Sequence, residues 1–265
     1  MGPTAGTSAI SLKPPFNHHN QGSRTVHHAV PSAYFSLQLT FAAHYAAAAG
    51  VPFDVAVARC TNLRRRLHLW GESGAEQWTI FLAELGTVSH DQATLLSTTL
   101  KFHKARPPLA PAPTFGCFSY DSPNAAGLLR IHFMPPEGLA ASPLAAAAVD
   151  ARQHELRAMF QHIRSAHPEA RSVMGVSWLY NLRAYTRLFP QAFVESIQPV
   201  SGPLHLNGSS TWGQVLDWRQ QVKPAVRDEL LRRLVHMDVA APWRVFPLQA
   251  QVAMCDVTAF HEVFT

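Results

Sequence analysis

Apolar and polar residues follow an ordered plan from Phe115 to Phe193 that no other part of the chain matches. Over residues 128–133 the positions alternate, with Leu129, Ile131 and Phe133 on one side and Arg130 and His132 on the other. A period of two predicts a half-buried strand. The aromatic run at 115–120 predicts a second strand. The turn residues Asp121, Ser122, Pro123 and Asn124 between them fold the two into a hairpin. Pro135 and Pro136 end the second strand, since proline cannot donate to a ladder. A loop of small residues follows, in which Ser142 before Pro143 predicts an N-cap with proline in the first helical turn. The helix over 143–166 carries Val149, Leu156, Met159, Phe160 and Ile163 on one stripe, with Arg152, Glu155, Arg157 and Arg164 mostly on the solvated side. The apolar run 173–180 predicts a buried strand, and 181–189 a short helix stopped by Pro190.

Two strands, a crossover helix and a further strand imply an α+β fold, a small mixed sheet covered by helices. Upstream, helical spacing predicts helices over 31–49, over a single stretch carrying Phe53, Val57, Cys60, Leu63 and Leu67, over 76–85 and over 91–103. Downstream, a strand-like run holds Val194 and Ile197, and a short helix begins at Trp212. Val222, Val226, Leu230, Leu234 and Met237 mark an amphipathic helix, and 245–252 a late strand before a terminal helix at 257–264. The proline-rich stretch 107–113 reads as a stiff linker. The chain therefore divides into a disordered tail at 1–30, a helical segment at 31–106 and a mixed segment at 114–265. The last two are expected to share one core.

With 47% hydrophobic and 15% charged residues the chain is globular rather than disordered. A net charge of +5 tolerates an acidic or phosphorylated partner without demanding one. There is no run of about 18 apolar residues to cross a membrane, and no basic region with an apolar core after Met1. With isolated Cys60, Cys117 and Cys255, the expectation is a cytoplasmic protein with reduced thiols.

Most candidate chemistries stay below threshold. The fifteen histidines include His18, His19, His27 and His28 in the tail, but no His-Glu-x-x-His spacing, so no metal is expected. Cys117 and His132 fall on neighbouring strands, yet a buried inert thiol is the simpler reading. Arg64, Arg65 and Arg66, with Arg59 one turn earlier, form the densest basic cluster. Without a recognisable module it reads as a solvated helix end rather than a nucleic-acid site.

One resemblance goes further. The order of strand, small-residue loop, helix and strand, then Asn181 with Ala184 three later and Phe193 twelve later, resembles the second half of the GNAT acyltransferase superfamily over about residues 115–200. The resemblance implies that the loop at 138–144, with Gly138, Ala140, Ala141 and Ser142, cradles the pyrophosphate of an acyl-coenzyme A at a helix N-terminus. It also implies that Asn181 contacts the cofactor and that an amine acceptor attacks the bound thioester. The loop departs from the family in holding one glycine beside Glu137, and Leu188 stands where the family places a tyrosine acid. Tyr180 and Tyr185 are the nearby alternatives. The rival reading is a non-catalytic ligand- or protein-binding domain without a cofactor loop.

Overall fold

The computed structural model describes residues 32–88, 91–108, 113–136, 138–200 and 206–265. The tail, most of the proline-rich linker and Glu137 lie outside the described residues. Helices come first: α1 (Ser32–Ala49), α2 (Phe53–Cys60), α3 (Leu63–Arg66), α4 (Gly71–Thr87) and α5 (Gln92–Ala105). Next come strands β1 (Phe118–Asp121) and β2 (Leu128–Phe133), helix α6 (Val149–Ala166) and strand β3 (Ser172–Ser177). The chain continues through α7 (Arg183–Thr186), α8 (Gln191–Glu195), β4 (Gln198–Pro199), α9 (Ser209–Trp212), α10 (Pro224–Leu234), β5 (Gln251–Asp256) and α11 (Thr258–Phe264). The fold is α+β.

The expected hairpin is present, with Phe118 opposite Phe133 and Asp121 opposite Arg130. The sheet runs β1-β2-β3-β5-β4. β2 and β3 are parallel, and every other neighbouring pair is antiparallel. Alternation carries Leu129, Ile131, Val173 and Ala253 into the core. They meet Leu156, Met159, Phe160 and Ile163 of α6 and Phe260 and Phe264 of α11.

Buried apolar residues fall into two clusters. The sheet cluster runs from Cys117 to Phe193 and resumes at Ala253. The other unites the N-terminal helices with residues 206–246 around Trp212, whose indole N–H donates to the Cys60 carbonyl at 3.0 Å. Helix α1 is buried beyond its predicted stripe, with Tyr34, Leu37, Gln38 and Phe41 also covered, because it touches α2, α5 and α10.

Several boundaries differ from the sequence reading, each for a local reason. The helix expected through Phe53 and Leu67 breaks after Cys60, because the Asn62 amide donates to Gln38 Oε1 instead of a helical carbonyl. The strand expected over 173–180 ends at Ser177, whose hydroxyl accepts from Leu179 N and starts a 3₁₀ turn at Trp178–Asn181. Helix α8 occupies part of the strand-like run at 194–197. The late strand lies at Gln251–Asp256, after a 3₁₀ turn at Pro242–Val245. Ser142 is not the cap of α6: its Oγ accepts from Leu144 N at 3.4 Å, and the helix is entered through a 3₁₀ turn at Ala146–Ala148. Arg152 is also not solvated. It is buried, and its guanidinium is paired with Glu155.

Among the described residues no single helix is long and apolar enough to cross a membrane.

Candidate functional site

The parallel pair at the centre of the sheet is short. β2 and β3 pair at Leu128–Ser172, Leu129–Val173 and Arg130–Met174, and there the register ends. Beyond it, 131–133 stays paired with β1 and 175–177 with β5. The two strands therefore part towards their C-terminal ends, on the side where the chain leaves β2 for the 134–145 loop and α6.

Two aromatic side chains floor the gap. Tyr180 lies over Gly175 so closely that a Cβ at that glycine would overlap its hydroxyl oxygen. The Tyr185 ring meets Phe133 at 5.2 Å and Tyr180 at 5.4 Å, so the two phenols lie side by side. Both residues are buried. Burial raises both phenol pKa values, with Tyr185 opposing the rise at Tyr180. Both therefore stay protonated at neutral pH, as hydrogen-bond donors that are weaker acids than a free phenol. Adding a methyl group here is expected to overpack the floor. Gly175→Ala should cost about 1–3 kcal/mol in a urea melt. Tyr180→Phe in the same chain should recover part of that loss, since it removes the clashing oxygen, and strict additivity would show that the two groups do not touch.

The structure divides the residues singled out from the sequence. It brings Tyr180 and Tyr185 together. Gly138, Ala140 and Ala141 are exposed in the loop, and Ser142 is half-buried. Gly138 has φ 81°, and a Cβ placed there would meet nothing within 4 Å, so its role is the left-handed turn. Asn181 is held away from the loop: its amide donates to the carbonyls of Trp178 and Gln249, both at 2.8 Å, tying the end of β3 to the approach of β5.

The loop is braced by cations. Arg187 donates to the Leu144 carbonyl at 2.9 Å, Arg219 to Ala140 at 3.4 Å and Arg152 to Pro143 at 3.4 Å. Opening helix amides lack intrahelical acceptors, and neither Ala145 nor Ala148 supplies a side-chain cap. At the entrance to α6 the main chain answers several of these amides itself, Ala145 N donating to the Ser142 carbonyl, Ala148 N to Ala145 and Val149 N to Ala146, with guanidinium groups nearby. On the β3 side, Lys223 Nζ sits 5.0 Å from the Trp178 ring centre. Desolvation lowers its pKa, while Asp217 acts the other way. Arg187 and Lys223 were not picked out from the sequence, where Trp178 reads as a core residue and Arg219 as part of a short helix. The one local signal is Asp217 ahead of Arg219 and Gln221, which marks a side-chain-closed turn.

The other candidates resolve differently. Cys117 lies opposite Met134 rather than His132, and desolvation by burial, with the Glu155 carboxylate beside it, pushes its thiol up to about 11. His132 pairs with Asp121 at 2.9 Å. Arg64, Arg65 and Arg66 lie over the rings of Trp78, Trp70 and Tyr34, so this cluster packs on aromatic surface instead of projecting freely. Among the described residues there is no group of three or more side chains that could hold a metal ion. Comparison of the chain with family models, with curated proteins and with solved structures found no match.

Proposed function

We propose that the chain binds an acyl-coenzyme A in the gap between β2 and β3 and transfers its acyl group to an amine. The observation that carries this reading is the parting of the two parallel strands beside the uncapped entrance of the crossover helix α6. An extended thioester arm would run along strand edges that have no strand partner across the gap. Its phosphates would lie towards the helix entrance and Arg187.

In this reading the unprotonated amine attacks the thioester carbonyl carbon. A C–N bond forms, the C–S bond breaks, and the amine gives up its extra proton to solvent. The departing thiolate takes its proton from solvent, and the neutral Tyr180 and Tyr185 hydroxyls, which burial keeps protonated, would donate hydrogen bonds towards the sulfur. Holding both reactants in one crevice supplies much of the rate. The proposal keeps the protein in the cytoplasm and needs no metal.

A second reading, a binding domain without catalysis, is favoured by the loop itself. Its amides at Leu144 and Ala145 are already bonded to Ser142, and the groups that its arginines meet are carbonyls. That polarity differs from a cradle built of N–H groups.

Titration calorimetry with acetyl-coenzyme A separates the two. The first reading expects a Kd on the order of micromolar and a rise in Tm by mass action. Ser142→Glu should abolish the binding by setting a carboxylate against the phosphates, while leaving the free protein's Tm within a degree or so, since acids are welcome near a helix start. No heat and no thermal shift with short or long acyl chains would leave the binding-domain reading in place.

A further inference from the structure

Between α9 and α10 lies a tight turn at 217–223 that the proposed chemistry does not use. Asp217 closes it, with Oδ1 accepting from the amides of Arg219 and Gln221. The main chain adds a bridge between Leu216 and Val222. At its tip Gln220 has φ 61°, a left-handed conformation that costs energy for a residue with a side chain. Three contacts hold this turn, and they reach three separate parts of the molecule. Arg66 Nη1 donates to Gln220 Oε1 at 3.0 Å, Arg219 Nη2 to the Ala140 carbonyl at 3.4 Å, and Lys223 lies over Trp178. Ala140 belongs to the chain that continues β2, and Trp178 is the residue after β3. The turn thus bridges the loop that follows β2 and the residue that follows β3.

We infer that residues 217–223 form a cationic strap across the mouth of the gap, lifted when a ligand carrying phosphate groups enters. The inference rests on the gap being a ligand site, and it adds how that site opens. At the mouth Arg219 meets a neutral carbonyl oxygen, and Lys223 meets an indole face with the Asp217 carboxylate also acting on it. A phosphate offers each cation a stronger, charge-assisted partner, so binding and release of the strap are one exchange of contacts. The Arg219 bond is at the long end of hydrogen-bond distances, and the buried indole N–H of Trp218 has no acceptor in the closed position. The closed turn therefore leaves polar groups to gain when it moves.

Hydrogen exchange read by mass spectrometry tests this on the free protein. In the double variant Arg219→Ala with Lys223→Ala, amides at 131–133 and 175–178 should exchange about tenfold faster, with α1 unchanged. Lys223→Arg alone, which keeps a cation over Trp178, should behave as the wild type. Millimolar inorganic pyrophosphate should speed exchange within 217–223 of the wild type and not of the double variant. Unchanged exchange at the strand ends of the double variant, loss of protection throughout the chain, or a wild-type turn indifferent to pyrophosphate overturns the inference. The exchange at the strand ends is read without any coenzyme, so failure of acyl-coenzyme A binding and failure of the strap give different results.

Discussion

Replacing Phe160 by alanine is expected to destabilise the protein by about 3–5 kcal/mol, as removal of a fully enclosed phenyl ring does. Phe160 is 0% exposed, midway along α6. Its ring stacks on Phe260 at 4.4 Å and 19°, and Phe264 lies 6.0 Å away. The crossover helix and the terminal helix thus meet through this ring, beneath the sheet. A urea melt should show a lower midpoint with an unchanged slope, which assigns the loss to stability rather than to altered compactness. A near-neutral midpoint would mean that α11 does not dock on α6 as the structure has it.

A loss of about 3 kcal/mol is expected for Glu155→Ala, through charge rather than volume. Arg152 has a side chain only 9% exposed, and Glu155 is its ionic partner through two nitrogens. Glu155 Oε2 also accepts the Cys117 amide at 2.9 Å, which joins α6 to the start of β1. Removing the carboxylate strands a buried guanidinium and a backbone donor together. Glu155 is itself 19% exposed, so solvent softens the penalty towards the lower end of the range for broken buried pairs. Substituting both partners, Arg152→Met with Glu155→Leu, should recover most of the loss in the same melts, because no charge is then left without a partner. A double variant as weak as Glu155→Ala would show that the pair is not the cause. Gly116 belongs to the same contact: with φ 61° and no side chain, it admits the Glu155 carboxylate into the space that a Cβ would fill.

The parts of the fold that the sequence disclosed are those where one neighbour sets the pattern. Leu129, Ile131 and Phe133 alternate because one sheet face is covered, and Leu156, Met159, Phe160 and Ile163 recur because α6 lies on that face. Where several neighbours compete, periodicity lost its meaning. The run 173–180 is apolar throughout, and only the Ser177 hydroxyl decides where strand gives way to 3₁₀ turn. Arg152 read as solvated because its spacing departs from the stripe, and nothing local announced that Glu155 would follow it inside.

The candidate site was legible only in pieces. Tyr180 and Tyr185 stood out as residues with usable hydroxyls, but their meeting depends on Gly175, a residue that attracts no notice in an apolar strand. The 138–144 loop was placed correctly after β2. Its cation contacts come from Arg187 and from Arg219, 79 residues beyond the carbonyl it meets. Asn181 fits the acyltransferase layout by position, yet its amide is committed to Trp178 and Gln249. Such long-range commitments follow from the packing of the whole sheet and leave no trace in local spacing.

The central claim is that an acyl-coenzyme A lies in the gap between β2 and β3. Photolabelling with an acyl-coenzyme A that carries a diazirine in its acyl chain, followed by peptide mapping, tests the claim most directly. The account predicts adducts within 131–136 or 177–185, suppressed by excess unlabelled acetyl-coenzyme A. Adducts confined to another surface, such as the crevice formed by Arg232, Arg233, His236 and Arg244, or labelling that unlabelled ligand does not suppress, would contradict it.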